Sequence, residues 1–88
     1  MHELSLANGI FDIVRQYVPA NRATAVRVVR VCVGEFAGVL PESLAWCFDA
    51  ITSDTPYAGA SLSIDRVPGQ DLQVAHIELE EDVPCTKS

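Results

Sequence analysis

A chain of 88 residues makes one domain, near the small end of the range in which folding buries only somewhat more than about 60% of the unfolded surface, so its stability should be modest. Its composition, 49% hydrophobic and 20% charged, is globular, and no run reaches the roughly 18–20 apolar residues of a membrane-spanning helix. Six basic residues against twelve acidic ones give a net charge of −6, and Lys and Arg gather nowhere, which argues against a nucleic-acid partner.

The amino end shows neither a basic leader nor a continuous apolar block, so it does not read as a signal peptide, and a cytoplasmic location is expected. The three cysteines, Cys32, Cys47 and Cys85, form no C-x-x-C pair. Neither a disulfide framework nor a cysteine-rich zinc site follows. Cys32 lies in a strand-like run and Cys47 in a helical one, where a free thiol is usually a small buried apolar group. Cys85 lies in a polar tail.

Met1-His2-Glu3 is the stretch that offers chemistry. The α-amine of Met1 and the imidazole of His2 can close around one small transition metal, and the peptide nitrogens of His2 and Glu3 become donors once the metal displaces their protons. Four nitrogens in a plane suit Ni(II) or Cu(II). With reference pKa values of about 6.5 for His and about 7.7–8.0 for an α-amine, binding should strengthen through neutral pH. Taken alone these residues read first as a frayed, solvent-exposed terminus, since a His at position 2 is common by chance.

From Ser5 to Val18 apolar residues recur at helical spacing. Leu6, Ile10, Ile13 and Tyr17 form one stripe and Ala7, Phe11, Val14 and Val18 the next, a wide core face opposite Asn8, Asp12, Arg15 and Gln16. The helix can start as early as Glu3, and Pro19 stops it. After the Pro-Ala-Asn-Arg connection, Ala25 to Val33 reads as a valine-rich strand. Val26 and Val28 break its alternation, which predicts a bulge or partial burial of the second face. Gly34 and Gly38 bracket a turn, and Pro41 opens a second helix to Ile51 whose inward stripe is Leu44, Cys47, Phe48 and Ile51. Trp46 falls off that stripe, on the helix flank.

Thr52 to Gly59 is polar and turn-forming. Ala60, Leu62 and Ile64 alternate with Ser61, Ser63 and Asp65 as a strand. Val67-Pro68-Gly69-Gln70 has the residues of a type II turn, and Leu72 to Glu80 follows as a strand with Ala75, Ile77 and Leu79 on one face and Leu72, Val74 and His76 on the other. The order helix, strand, helix, strand, strand predicts an α+β two-layer fold, a three-stranded sheet with both helices on one face. Val28, Leu72 and Val74 are then expected on the uncovered face. Residues 1–82 form the domain and 83–88 a flexible tail. His76 reads as an exposed strand residue, with an auxiliary ligand as the sharper alternative. The acidic run Glu78, Glu80, Glu81 and Asp82 reads as a solvated edge. No nucleophile, base and orienting group stand at a recognisable spacing, so an enzyme is not expected.

Four stretches in order, Met1 to Ala7, Val33 to Val39, Pro41 to Leu44 and Gly59 to Pro68, resemble the HypA/HybF family of hydrogenase-maturation nickel chaperones, as does the closing stretch Asp71 to Glu80. The resemblance implies a nickel site at Met1, His2 and Glu3, a cytoplasmic role in delivering Ni(II) to [NiFe]-hydrogenase or urease, and partnership with a maturation GTPase and the hydrogenase large subunit. That family carries a zinc domain, held by two C-x-x-C pairs, between the strands that here are joined by Pro68-Gly69-Gln70-Asp71. No zinc is therefore expected, and the alternative to a nickel carrier is a metal-independent interaction module that keeps the fold. The uncovered face and the free edges predict a homodimer, and the Pro-Gly connection suggests a strand-swapped one.

Overall fold

The structure, a computed structural model, describes residues 3–80. Helix α1 (Glu3–Tyr17) leads through a 3₁₀ turn (Ala20–Ala25) to β1 (Val26–Gly34), followed by α2 (Pro41–Thr52), β2 (Ser61–Val67) and β3 (Leu72–Leu79). The sheet order is β2-β1-β3. The first strand is therefore central, parallel to β2 and antiparallel to β3, and α2 carries the crossover that a parallel pair needs.

Both helices form where their apolar periodicity lies. In α1, Ala7, Ile10, Phe11 and Val14 are buried, and Pro19 follows once Val18 has closed the last turn onto the Val14 carbonyl. Tyr17, expected on the core stripe, is instead 74% exposed, because it lies at the flank of the buried arc on the last residue of the helix. Pro41 opens α2, which buries Leu44, Phe48 and Thr52 and lays Cys47 and Ile51 against the core. Thr52 belongs to the helix rather than to the turn: its hydroxyl donates to the Phe48 carbonyl, 2.9 Å away.

The polar stretch after α2 adds an unforeseen piece of core. Tyr57 is buried, its ring stands edge-on to Phe11 at 5.2 Å, and its hydroxyl donates to the Val18 carbonyl at 2.7 Å. One side chain thus ties the α2–β2 connection to the end of α1.

On β1, Val26, Val29, Val31 and Val33 are buried. The step from Val26 to Val29 is three residues rather than two, and the register with β3 shifts between Val26 and Val28, which is the predicted bulge. A second irregularity was not foreseen. Arg30 pairs with His76 and Val31 with Val74, so Ala75 is an extra residue in β3 and the side-chain alternation reverses across it. Opposed residues share a face, so Val33 and Leu72, Val31 and Val74, Val29 and Ile77, and Val26 and Leu79 all point to the helices. Leu72 and Val74 accordingly pack on the core, not on the uncovered face, and Ala75 is exposed rather than aligned with Ile77. The helix-free face carries Val28, Arg30 and Cys32 beside Ser61, Ser63 and Asp65 of β2 and Gln73, His76 and Glu78 of β3.

The β2–β3 connection does not make a hairpin. It hooks around the carboxyl end of β1, where the amides of Gly34, Glu35 and Phe36 donate to the carbonyls of Asp71, Val67 and Gly69 at 2.7, 2.8 and 2.9 Å. Gly69 takes a φ of 109°, open to glycine. Gly34 must also be glycine, since a Cβ there would collide with the Gly69 carbonyl.

Candidate metal site

Two of the three residues proposed from the sequence, Met1 and His2, lie outside the described residues. The third, Glu3, is the first residue of α1 and is half-buried. Its Oε2 accepts the backbone N–H of Leu40 at 3.1 Å, and Leu40 is the residue that caps α2, with no side-chain cap of its own. The Glu3 carboxylate therefore joins the amino ends of the two helices. Sequence spacing assigns Glu3 only a peptide nitrogen and a charge; the carboxylate's partner is a backbone group 37 positions away, which no local pattern marks. At the amino end of a helix a carboxylate is also electrostatically favoured.

Exposed apolar side chains stand close in the chain to both partners of this bond. Leu4 is 51%, Leu40 63% and Phe36 72% exposed, Leu4 following Glu3 in the chain and Phe36 lying in the loop that leads to Leu40. Glu35, in the same loop, and Glu42, in the first turn of α2, are exposed carboxylates.

His76 stands elsewhere. It pairs with Arg30 on the helix-free face, with its Nε2 2.9 Å from a Glu78 carboxylate oxygen. Arg30 lies between acids, 3.2 Å from Asp65 and 4.0 Å from Glu78. Glu3 begins a helix on the other side of the sheet, so the fold does not bring His76 to it. Among the described residues no group of three or more His, Cys, Asp or Glu side chains is placed to hold a metal. Of the acidic run, Glu78 pairs with His76 and Arg30 and Glu80 with Arg27, as a solvated edge would; Glu81 and Asp82 lie outside the described residues, as do Cys85 and the 83–88 tail. Cys32 and Cys47 are half-buried free thiols. Trp46 is 77% exposed, at a shallow groove on the outer side of α2. Among the described residues no helix is long and apolar enough to cross a membrane.

Residues 1–79 match the family described as hydrogenase/urease nickel incorporation, metallochaperone, hypA. The chain belongs to the HypA family. The match runs from the terminal Met-His-Glu to the last residue of β3. A relative from Streptomyces avermitilis named hydrogenase maturation factor HypA is 46% identical over 71 residues, covering 80% of this chain and 54% of the relative. One of the same name from Deinococcus radiodurans is 42% identical over 82 residues, covering 91% of this chain and 68% of the relative. The chain thus spans little more than half the length of the first of these. Among solved structures, the Ni metallochaperone HypA from Helicobacter pylori superposes with a TM-score of 0.65 over 86% of this chain and 72% of that one, at 17% identity, a likeness of fold.

Proposed function

We propose that the chain is a nickel-handling accessory protein for hydrogenase maturation, a carrier rather than a catalyst, with one Ni(II) as cargo at its amino end. The Met1 amine, the His2 imidazole and the backbone nitrogens of His2 and Glu3 supply the four donors. The observation that carries this reading is the family match over residues 1–79, which includes the terminal triplet. Two structural features support it. The helix α1 begins at Glu3, ahead of its own hydrogen-bond ladder, so a ligand at that peptide nitrogen interrupts no turn. The Glu3 carboxylate bound to Leu40 holds the start of the helix against the body of the protein.

A maturation GTPase and the hydrogenase large subunit are the proposed partners, and the exposed Leu4, Phe36 and Leu40 are the apolar side chains offered to them. The fold itself should stand without zinc, because both helices and all three strands share one core; a chelator should leave the thermal melt unchanged.

Nickel titration followed by mass spectrometry of the intact protein tests the site. One nickel per chain is expected with the native terminus, and none after His2→Ala or after a short amino-terminal extension that blocks the amine. Removal of Met1 should be as damaging, since it shifts His2 to the first position. Glu3→Gln should weaken binding only modestly, because the peptide nitrogen remains and the amide oxygen can still accept from Leu40. An extended protein that binds nickel with unchanged affinity would remove the amine from the ligand set.

A further inference from the structure

The outer side of α2 carries a shallow groove lined by Glu42, Ser43, Ala45, Trp46 and Asp49. Glu42, Trp46 and Asp49 follow one another at steps of four and three residues, so their side chains form one stripe. That stripe is turned away from the core, which α2 meets through Leu44, Phe48 and Thr52. At its middle the Trp46 side chain is 77% exposed, more than any other large apolar residue among those described. An indole this open adds nothing to the core, and Trp is among the residue types that most often anchor a protein partner. We propose that this stripe docks a basic segment of another protein, two cationic side chains reaching Glu42 and Asp49 and lying against the Trp46 ring between them.

Charge selects the occupant. Other carboxylates are answered from within the chain: Asp12 pairs with Arg15, Asp65 with Arg30 and Glu80 with Arg27. Glu42 and Asp49 are exposed, and among the described residues neither carboxylate has an ion pair or a hydrogen bond. The helix that bears them contains no Lys, Arg or His. The two are not equivalent. Glu42 stands in the first turn, where the helix dipole favours a negative charge, and Asp49 in the last, where it does not. A cation brought by a partner supplies what Asp49 lacks. The face of the indole between them attracts the same sign of charge, and a chain of net charge −6 draws a basic partner in and turns an acidic one away.

Spacing gives the segment its form. Seven residues of helix set Glu42 and Asp49 about 10 Å apart along the axis. In a polyproline II segment, residues three apart lie on one side at a distance of about 9 Å. An unfolded basic stretch with Arg or Lys at the first and fourth positions therefore reaches both carboxylates.

Trp46 is the one tryptophan of the chain, so its emission reports on this groove directly. Titrating the metal-free protein at low salt with the capped peptide Pro-Arg-Pro-Pro-Arg-Pro should give a saturable change in that emission, reversed by added salt. The same peptide with Glu in place of Arg should give none. Read instead from the anisotropy of a labelled peptide, Trp46→Ala, and separately Glu42→Gln with Asp49→Asn, should each raise Kd about tenfold. Glu78→Gln with Glu80→Gln removes the same charge from β3 and its end and should change Kd less than about threefold. All five positions are exposed, and an unchanged melting temperature shows that each variant is folded. No saturable emission change up to about 1 mM peptide overturns the proposal. So does a β3 pair that weakens binding as much as the α2 pair, which would make the attraction one of net charge alone. None of these readings involves nickel, so their failure would leave the metal site standing.

Discussion

The two faces of β1 are held by different forces. Toward the helices, Val26, Val29, Val31 and Val33 are at most 2% exposed and meet Ile10, Leu44 and Phe48 in one cluster. Away from the helices, Arg30 lies between Asp65 and Glu78 with its side chain 36% exposed and those of its partners 49% exposed. Burying a valine or leucine fully is worth about 1.5–3 kcal/mol, while an ion pair open to water contributes roughly 0–1 kcal/mol and fades with salt. One face therefore determines whether the chain folds. The other can change its charges at little cost.

That contrast breaks most readily from the buried side. Phe48→Ala empties a site with 0% exposure that also meets the Phe11 ring edge-on at 6.3 Å, and it should cost about 3–5 kcal/mol. In so small a domain this would leave much of the population unfolded, visible as a collapse of the urea midpoint. A loss under about 1 kcal/mol would mean that the core is far looser than its burial indicates. Gly34→Ala should follow, at about 1–3 kcal/mol, because the added Cβ meets backbone atoms of Gly69 and Gln70 that cannot swing aside as a side chain would. Amide hydrogen exchange should quicken first at Gly34, Glu35 and Phe36, whose bonds run to that connection.

Tyr57→Phe keeps the ring against Phe11 and removes only the hydroxyl that donates to Val18. A cost of about 1 kcal/mol is expected, read as a lower melting temperature with the same cooperativity. Smallest of all should be Arg30→Gln, which removes the centre of the exposed charge cluster. Stability at physiological salt should move by less than about 0.5 kcal/mol. A larger loss, removed by added salt, would show that the open face contributes more than solvent screening allows.

Most of the fold was legible because the core-forming residues repeat. The period of α1 runs through Ala7, Ile10, Phe11 and Val14, that of α2 through Leu44 and Phe48, and β2 alternates cleanly from Leu62 to Ile64. What escaped was non-local. The run Val74-Ala75-His76-Ile77 alternates acceptably with either face inward, and only its pairing with Arg30 and Val31 fixes where the extra residue falls. Tyr57 sits in a polar turn and becomes core through Val18, 39 positions away. The central place of β1 depended on the same kind of contact. At the candidate site, the residue types of Met1, His2 and Glu3 were readable, but the bond from Glu3 to Leu40 was not, because an N–H leaves no trace in composition.

The hook between β2 and β3 determines where this fold could grow. Its two arms are fastened to the end of β1 at Val67 and Asp71, and the Gly69 carbonyl between them accepts the Phe36 N–H, while the side of Gly69 and Gln70 turned away from β1 is exposed. Sequence inserted after Gly69 puts only the Phe36–Gly69 bond at risk, and the bonds at Val67 and Asp71 keep both flanking strands in register. It would also emerge beside Phe36, whose amide donates to the Gly69 carbonyl, at the start of the loop that leads to α2. The zinc domain that the resemblance places between these two strands would enter at this point.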